Sequence, residues 1–96
     1  MELLVAYDVA TDTKAGRRRL RRVANICVGS GQRVQKSVFE CTVTDVQMER
    51  MIYRLLREID PMQDSLRIYR LREPRSTHVQ VFGLSPPVDF GGTLIG

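Results

Sequence analysis

The order of strand and helix patterns constrains the fold of this chain more than any other feature. An uninterrupted apolar run at residues 3–7 predicts a strand that is central in a sheet and covered on both faces. A helical pattern follows at 14–28, and a second begins after Thr44, with extended segments at 33–43 and 65–71. The order βαββαβ is that of a ferredoxin-like α+β sandwich, in which both helices cover one face of an antiparallel sheet.

Each predicted helix has an apolar stripe and recognisable ends. Side-chain oxygens at 11–13 precede the first helix, and a Gly-Ser-Gly turn at 29–31 follows it. The second helix opens with a capping box of Thr44 and Gln47 and ends at Asp60-Pro61. The first stripe comprises Leu20, Val23, Ala24 and Cys27. The second comprises Met48, Ile52, Leu55, Leu56 and Ile59.

The extended segment between the helices has the pattern of a half-covered strand. Phe39, Cys41 and Val43 alternate with Glu40 and Thr42, which predicts that Phe39 packs in the core. We expect a tight bend near 35–37 that divides the segment into a hairpin.

Both helices on one side would leave the other face of the sheet bare. An apolar face of this kind is larger than a soluble monomer usually exposes, so we expect a homodimer packed sheet against sheet. Residues 78–82 predict an extra C-terminal strand that is free to pair with the partner. We therefore predict one domain at 1–84 and a tail at 85–96 that docks on the partner.

The basic residues point towards nucleic acid. The net charge is +4, and 13 of the 15 basic residues are arginine, whose planar fork suits phosphate oxygens. Five of the arginines lie close together with no acidic residue between them. We call this group the arginine cluster, which consists of Arg17, Arg18, Arg19, Arg21 and Arg22. Like charges one turn apart on a helix repel each other, and bound phosphate would reduce this repulsion. The alternative interpretation is a helix face whose charges are solvated by water.

Three further arginines form a second ridge that allows more than one interpretation. Arg50, Arg54 and Arg57 share a side of the second helix with Glu49 and Glu58 nearby. This ridge fits protein contacts or solvation equally well.

Asp8 is the candidate for metal chemistry, because it is a lone carboxylate at the tip of the first strand beside the arginine cluster. Mg²⁺ needs only one or two carboxylates and keeps water as its remaining ligands. A dimer packed through its sheets could bring two copies of Asp8 together at the two-fold axis. The alternative is that Asp8 caps the following turn. Asp12 could be an outer ligand or a helix cap, and His78 is expected to be a surface residue.

The remaining features concern the compartment. Cys27 and Cys41 form no CxxC pair and fall on apolar faces, which is typical of reduced core thiols in a cytoplasmic protein. No stretch of about 18 apolar residues occurs, so we expect neither a membrane span nor a signal peptide.

Three strings in the chain resemble the CRISPR-associated protein two family. They are Tyr7-Asp8, the ten residues GQRVQKSVFE at 31–40, and DSLRIY at 64–69, and the resemblance extends over about residues 1–84. The RVQKSVFE part of the second string, residues 33–40, is specific, whereas a Tyr-Asp pair alone would mean little. The tail departs from the compact family core and shares only its proline and Asp89 with a longer-tailed branch.

The resemblance implies a ferredoxin-like homodimer that acts with the CRISPR integrase and binds the duplex DNA inserted during spacer acquisition. It also implies an Mg²⁺-dependent, or other divalent-cation-dependent, endonuclease on single-stranded RNA or duplex DNA, in which Asp8 is the metal-binding catalytic residue. Arg33 begins the specific string, and we expect it to reach phosphate or the Asp8 region.

Three functions remain open at this point: a metal-dependent endonuclease, a non-catalytic DNA-bridging scaffold, and a small-molecule-sensing domain. The last would need a glycine-rich loop between strand and helix, and Gly16 alone does not make one. The preferred nucleic acid, the closeness of the two Asp8 carboxylates and the partner of the tail stay open as well.

Overall fold

Residues 1–74 and 77–83 are described by a computed structural model, which has the predicted element order. The elements are β1 Glu2–Asp8, α1 Lys14–Val28, β2 Gly31–Gln35, β3 Val38–Thr42, α2 Asp45–Glu58 and β4 Ser65–Leu71. The predicted bend near 35–37 is confirmed, because β2 ends and β3 begins there.

The four strands form one antiparallel sheet in the order β2-β3-β1-β4. Val5 lies opposite Phe39 of β3 on one side and Ile68 of β4 on the other. The first strand is therefore central, as predicted, and the ferredoxin-like topology is confirmed.

Only one face of β1 is covered within the single chain. Leu3, Val5 and Tyr7 are buried, whereas Leu4 and Ala6 keep partial exposure. The prediction that this strand is covered on both faces is thus wrong for one chain, since both helices pack on the same side. We call the opposite side the open face; it carries the alternate β1 residues Glu2, Leu4, Ala6 and Asp8.

The helix ends follow the sequence signals closely. The Thr13 hydroxyl accepts a hydrogen bond from the Gly16 amide at 3.0 Å, so Thr13 rather than Asp12 caps α1. Both hydrogen bonds of the predicted Thr44–Gln47 capping box are present at α2.

The core differs from the predicted stripes at a few positions. Ile26 and Met51 join the core, and Leu56 is 57% exposed. Leu56 follows the fully buried Leu55, so it lies about 100° further round the helix and points away from the sheet. Phe39 is fully buried, as predicted.

The predicted strand at 78–82 is absent from the described chain. Thr77 and His78 form a turn, and 79–82 have no regular structure. A strand needs a hydrogen-bonding neighbour, and the described chain supplies none there. His78 is exposed, as expected. The predicted tail at 85–96 lies outside the described residues.

In the described ranges, neither helix combines the length and apolar character needed to cross a membrane.

Candidate functional site

Asp8 is the last residue of β1 and its side chain is exposed. Leu3, Val5 and Tyr7 point into the core, so alternation along the strand places Asp8 on the open face. It lies opposite Ser65, the first residue of β4. The predicted position at a strand tip is confirmed, and its carboxylate is accessible to solvent.

A second charged residue shares this part of the open face. Arg67 lies opposite Ala6, which places it diagonally across the sheet from Asp8. Its guanidinium donates to the Tyr69 hydroxyl at 3.2 Å, and this contact raises the pKa of Arg67. No local sequence pattern pairs Arg67 with Asp8, because strand register decides which residues meet across a sheet.

Asp8 has few potential co-ligands in the part of its own chain that the structure describes. Among residues 1–74 and 77–83 no group of three or more His, Cys, Asp or Glu side chains could hold a metal ion. One exposed carboxylate can still hold a hydrated Mg²⁺, whose other ligands are usually water and substrate oxygens. The residues present therefore fit a solvated divalent ion better than a closed protein cage.

The arginine cluster divides into two sets. Arg17, Arg18, Arg21 and Arg22 are exposed along α1. Arg17 donates to the Thr11 carbonyl at 3.2 Å, and Arg22 lies 3.7 Å from the Glu58 carboxylate. Within the described ranges Arg18 and Arg21 make no ion pair, so their charges face solvent.

Arg19 has a different environment from its neighbours. Its side chain is only 16% exposed, and its Nε donates to Oδ2 of Asp64 at 2.9 Å. A second hydrogen bond joins Nη2 to Oδ1 of Asp64 at 3.3 Å, which completes a two-pronged contact. The structure thus places Arg19 away from the exposed arginines with which its sequence position groups it.

Asp64 is a site residue that the sequence analysis missed. Its side chain is fully buried and also accepts hydrogen bonds from the Ala10 amide at 3.0 Å and the Asp60 amide at 2.8 Å. These partners belong to the loop after β1 and the loop before β4. Because Ala10 and Arg19 are distant from Asp64 in sequence, only the string at 64–69 signalled that this aspartate mattered.

Asp64 is expected to make the free energy of unfolding decrease at acid pH. Burial opposes ionisation, but the hydrogen bonds from Arg19, Asp60 and Ala10 outweigh it and lower the pKa of Asp64. An unfolded aspartate titrates near pH 3.9, so this stabilisation is complete above about pH 4 and is lost as the pH falls towards the lower folded value.

We therefore expect the urea concentration at the unfolding midpoint of the wild type to decrease as the pH is lowered below about 4. Asp64→Asn should lack the part of this decrease that comes from protonation of Asp64. Urea unfolding between pH 3 and pH 6 measures this difference. Equal acid-side slopes in the two proteins would contradict the assignment.

Arg33 lies on the helix side of β2, not beside Asp8. It pairs with Phe39 across the hairpin, and its guanidinium carbon lies 5.2 Å from the centre of the Phe39 ring. The expectation that Arg33 reaches the Asp8 region is wrong within one chain, because the sheet separates the two side chains. Its exposed guanidinium remains a candidate phosphate contact.

Tyr7 packs beside this pair, and the centres of the Tyr7 and Phe39 rings are 6.2 Å apart. Burial raises the pKa of the Tyr7 hydroxyl, with a further increase from Cys27 and an opposing effect of Arg33. Burial likewise raises the pKa of the Cys27 thiol to about 12, with a contribution from Cys41. Both cysteines are buried and neither forms a disulfide, as expected of core thiols.

The second arginine ridge borders a groove between the helices. The groove is lined by Arg22, Asn25, Ile26, Arg54, Arg57 and Glu58. The Arg57 guanidinium also lies 5.7 Å from the centre of the Tyr53 ring. These contacts leave protein binding and solvation as interpretations of the ridge.

Comparison with known proteins gives a consistent result. Residues 1–79 match the family model described as CRISPR associated protein Cas2. The chain is 53% identical over 95 residues to a protein of Moorella thermoacetica named CRISPR-associated endoribonuclease Cas2 1, with 99% of each chain covered. It is 45% identical over 95 residues to a protein of Halalkalibacterium halodurans named CRISPR-associated endonuclease Cas2, again with 99% of each covered.

A solved structure agrees with the fold. The crystal structure of Streptococcus pyogenes Cas2 at pH 6.5 superposes with a TM-score of 0.79 and 49% sequence identity. The alignment covers 86% of this chain and 100% of that one.

Proposed function

This chain belongs to the Cas2 family of CRISPR-associated proteins, and we propose that it is a metal-dependent endonuclease that cleaves phosphodiester bonds in RNA or DNA. The observation that carries the proposal is the accessible Asp8 carboxylate at the end of β1 on the open face. Relatives covering nearly the whole chain are named endoribonuclease or endonuclease, which supports the same reaction class.

We propose that the working unit is a homodimer packed through the open faces. Partly exposed apolar residues on this face, such as Leu4 and Ala6, would then become buried. The same packing would place two Asp8 carboxylates near the two-fold axis. A site built in this way would contain two carboxylates, one from each chain.

The residues of the site have separable roles in this proposal. Asp8 holds a hydrated divalent ion, Mg²⁺ or a substitute, through its carboxylate oxygens. A divalent ion bound there supplies Lewis acidity towards a phosphodiester. Arg67, on the same face, would place positive charge near the scissile phosphate, and the exposed arginines of α1 would bind flanking phosphates.

The test of this function is cleavage of labelled duplex DNA and labelled single-stranded RNA by purified protein, with Mg²⁺ and with a chelator. Cutting that requires the metal supports the proposal. Binding of either nucleic acid without cutting would contradict it.

A second candidate function is a non-catalytic scaffold that binds duplex DNA together with the CRISPR integrase during spacer acquisition. The observation that favours it is the exposed, unpaired charge of Arg18 and Arg21 in the described chain. Contacts to the phosphate backbone are enough for such a role and need no metal. The two functions are compatible in one protein.

Replacing Arg18, Arg21 and Arg22 together with glutamine is expected to weaken duplex binding and reduce its salt dependence. Each lost phosphate contact lowers the slope of log K against log salt by about 0.9, so the slope should fall by about 2 to 3. Fluorescence anisotropy across a salt series measures this change.

The matched control replaces Arg50, Arg54 and Arg57, which removes the same charge from α2. Unchanged duplex affinity of the α1 variant at low salt would contradict the placement of the phosphate-binding face. An equal loss of slope in both variants would show that net charge, rather than position, controls binding.

A further inference from the structure

The loop that follows Asp8 is hydrogen-bonded to one buried carboxylate, that of Asp64. Asp64 Oδ1 accepts a hydrogen bond from the amide of Ala10, two residues beyond Asp8, at 3.0 Å. Its Oδ2 accepts a hydrogen bond from the amide of Asp60 at 2.8 Å. The Arg19 guanidinium closes the arrangement with hydrogen bonds to both oxygens.

These contacts converge on the backbone that orients Asp8. Ser65 follows Asp64 directly and lies opposite Asp8 in the sheet register. Asp64 therefore binds the backbone at Ala10, two residues after Asp8, while the adjacent residue Ser65 pairs with Asp8. Val9, between Asp8 and Ala10, is 6% exposed and packs in the core, which further limits movement of this segment.

The packing of α1 adds an independent restraint on the same loop. Gly16 is buried, and a Cβ atom placed on it would overlap the carbonyl oxygen of Ala10. The loop backbone thus lies directly against the first turn of α1. Asp64 binds the amide of Ala10, and Gly16 gives space to its carbonyl group.

We infer that Asp64 is a positioning residue for the Asp8 site, which acts by fixing the loop after β1 so that the Asp8 carboxylate points in one direction from the open face. The inference rests on the proposed nuclease function. A metal ligand that projects from a mobile strand end would bind its ion more weakly, and a misplacement of about 1 Å can slow a reaction by about 10²-fold. Substitution of a residue that orients a metal ligand commonly lowers metal affinity or activity by about 10- to 100-fold.

The test uses Asp64→Asn, which keeps the size of the side chain but removes its charge and one accepting oxygen. We expect kcat for Mg²⁺-dependent cleavage to fall by about 10-fold or more, with KM changed by less than about 2-fold. The dissociation constant for Mn²⁺, measured by its electron paramagnetic resonance signal, should rise by about 10-fold. Amide hydrogen exchange at Ala10 should accelerate by a similar factor, while exchange at Val5 stays the same.

Met51→Ala is the control for a general loss of stability, because Met51 is a core residue of α2 outside the loop. Measured well below both melting temperatures, it should keep the wild-type kcat and Mn²⁺ affinity. If Asp64→Asn does not fold, Arg19→Gln is the second variant, since it removes two of the four hydrogen bonds to Asp64 and should produce a smaller shift in the same direction.

Two results would overturn the inference. One is unchanged Mn²⁺ affinity and kcat in a folded Asp64→Asn protein, and the other is an equal loss in Met51→Ala. Failure of the proposed function gives a distinct pattern, in which the wild type itself neither cleaves nor binds Mn²⁺. In that case unchanged Ala10 exchange in Asp64→Asn would still refute the positioning role.

Discussion

Asp8→Ala is expected to lower the rate of Mg²⁺-dependent cleavage by about 10³-fold or more while the protein remains folded. A metal ion that stabilises transition-state charge contributes several kcal/mol, and each 1.36 kcal/mol corresponds to about tenfold in rate. Asp8 is exposed, so its truncation should leave the melting temperature within about 2 °C of the wild-type value. Single-turnover cleavage of labelled RNA and duplex DNA measures the change.

Asp45→Ala is the control for this experiment, because Asp45 is also an exposed aspartate but lies at the start of α2. It should cleave at nearly the wild-type rate. Duplex binding at low salt should persist in both variants, since phosphate contacts come from arginines. Metal-dependent cutting that survives in Asp8→Ala would contradict the assignment of Asp8.

The second large effect concerns the core residue Phe39 in the specific string at 33–40. Phe39→Ala is expected to destabilise the protein by about 3–5 kcal/mol, because Phe39 is fully buried and stacks against Tyr7. For a domain of this size the melting temperature should fall by at least about 12 °C. Thermal unfolding followed by circular dichroism measures the shift.

Phe39→Leu separates the core role from a role in base stacking. It keeps most of the buried apolar volume, so a smaller loss of stability and an unchanged affinity for single-stranded RNA are expected. A folded Phe39→Leu protein with markedly weaker RNA binding would instead indicate that the ring contacts bases, as aromatic platforms do.

Local sequence signals predicted most of the fold. The capping box at Thr44 and the glycine after Val28 are short-range features, so the ends of both helices were predictable. The strand at 78–82 was not, because alternation alone cannot supply the neighbouring strand that a ladder requires.

The site was only partly predictable, for a related reason. Asp8 stands out because a carboxylate directly follows an apolar strand pattern. Asp64 does not, since its partners Arg19 and Ala10 are 45 and 54 residues away in sequence. The same contacts explain why Arg19 differs from Arg18, although both belong to the arginine cluster.

The most direct test of the account is the number of metal ions bound per chain, measured together with the mass of the same sample. A site shared by two Asp8 carboxylates predicts a dimer of about twice the 11.0 kDa chain mass, with one Mn²⁺ per dimer that is lost in Asp8→Ala. Isothermal titration calorimetry gives the stoichiometry, and light scattering gives the mass. A monomer, or one Mn²⁺ per chain that persists in Asp8→Ala, would contradict the shared site.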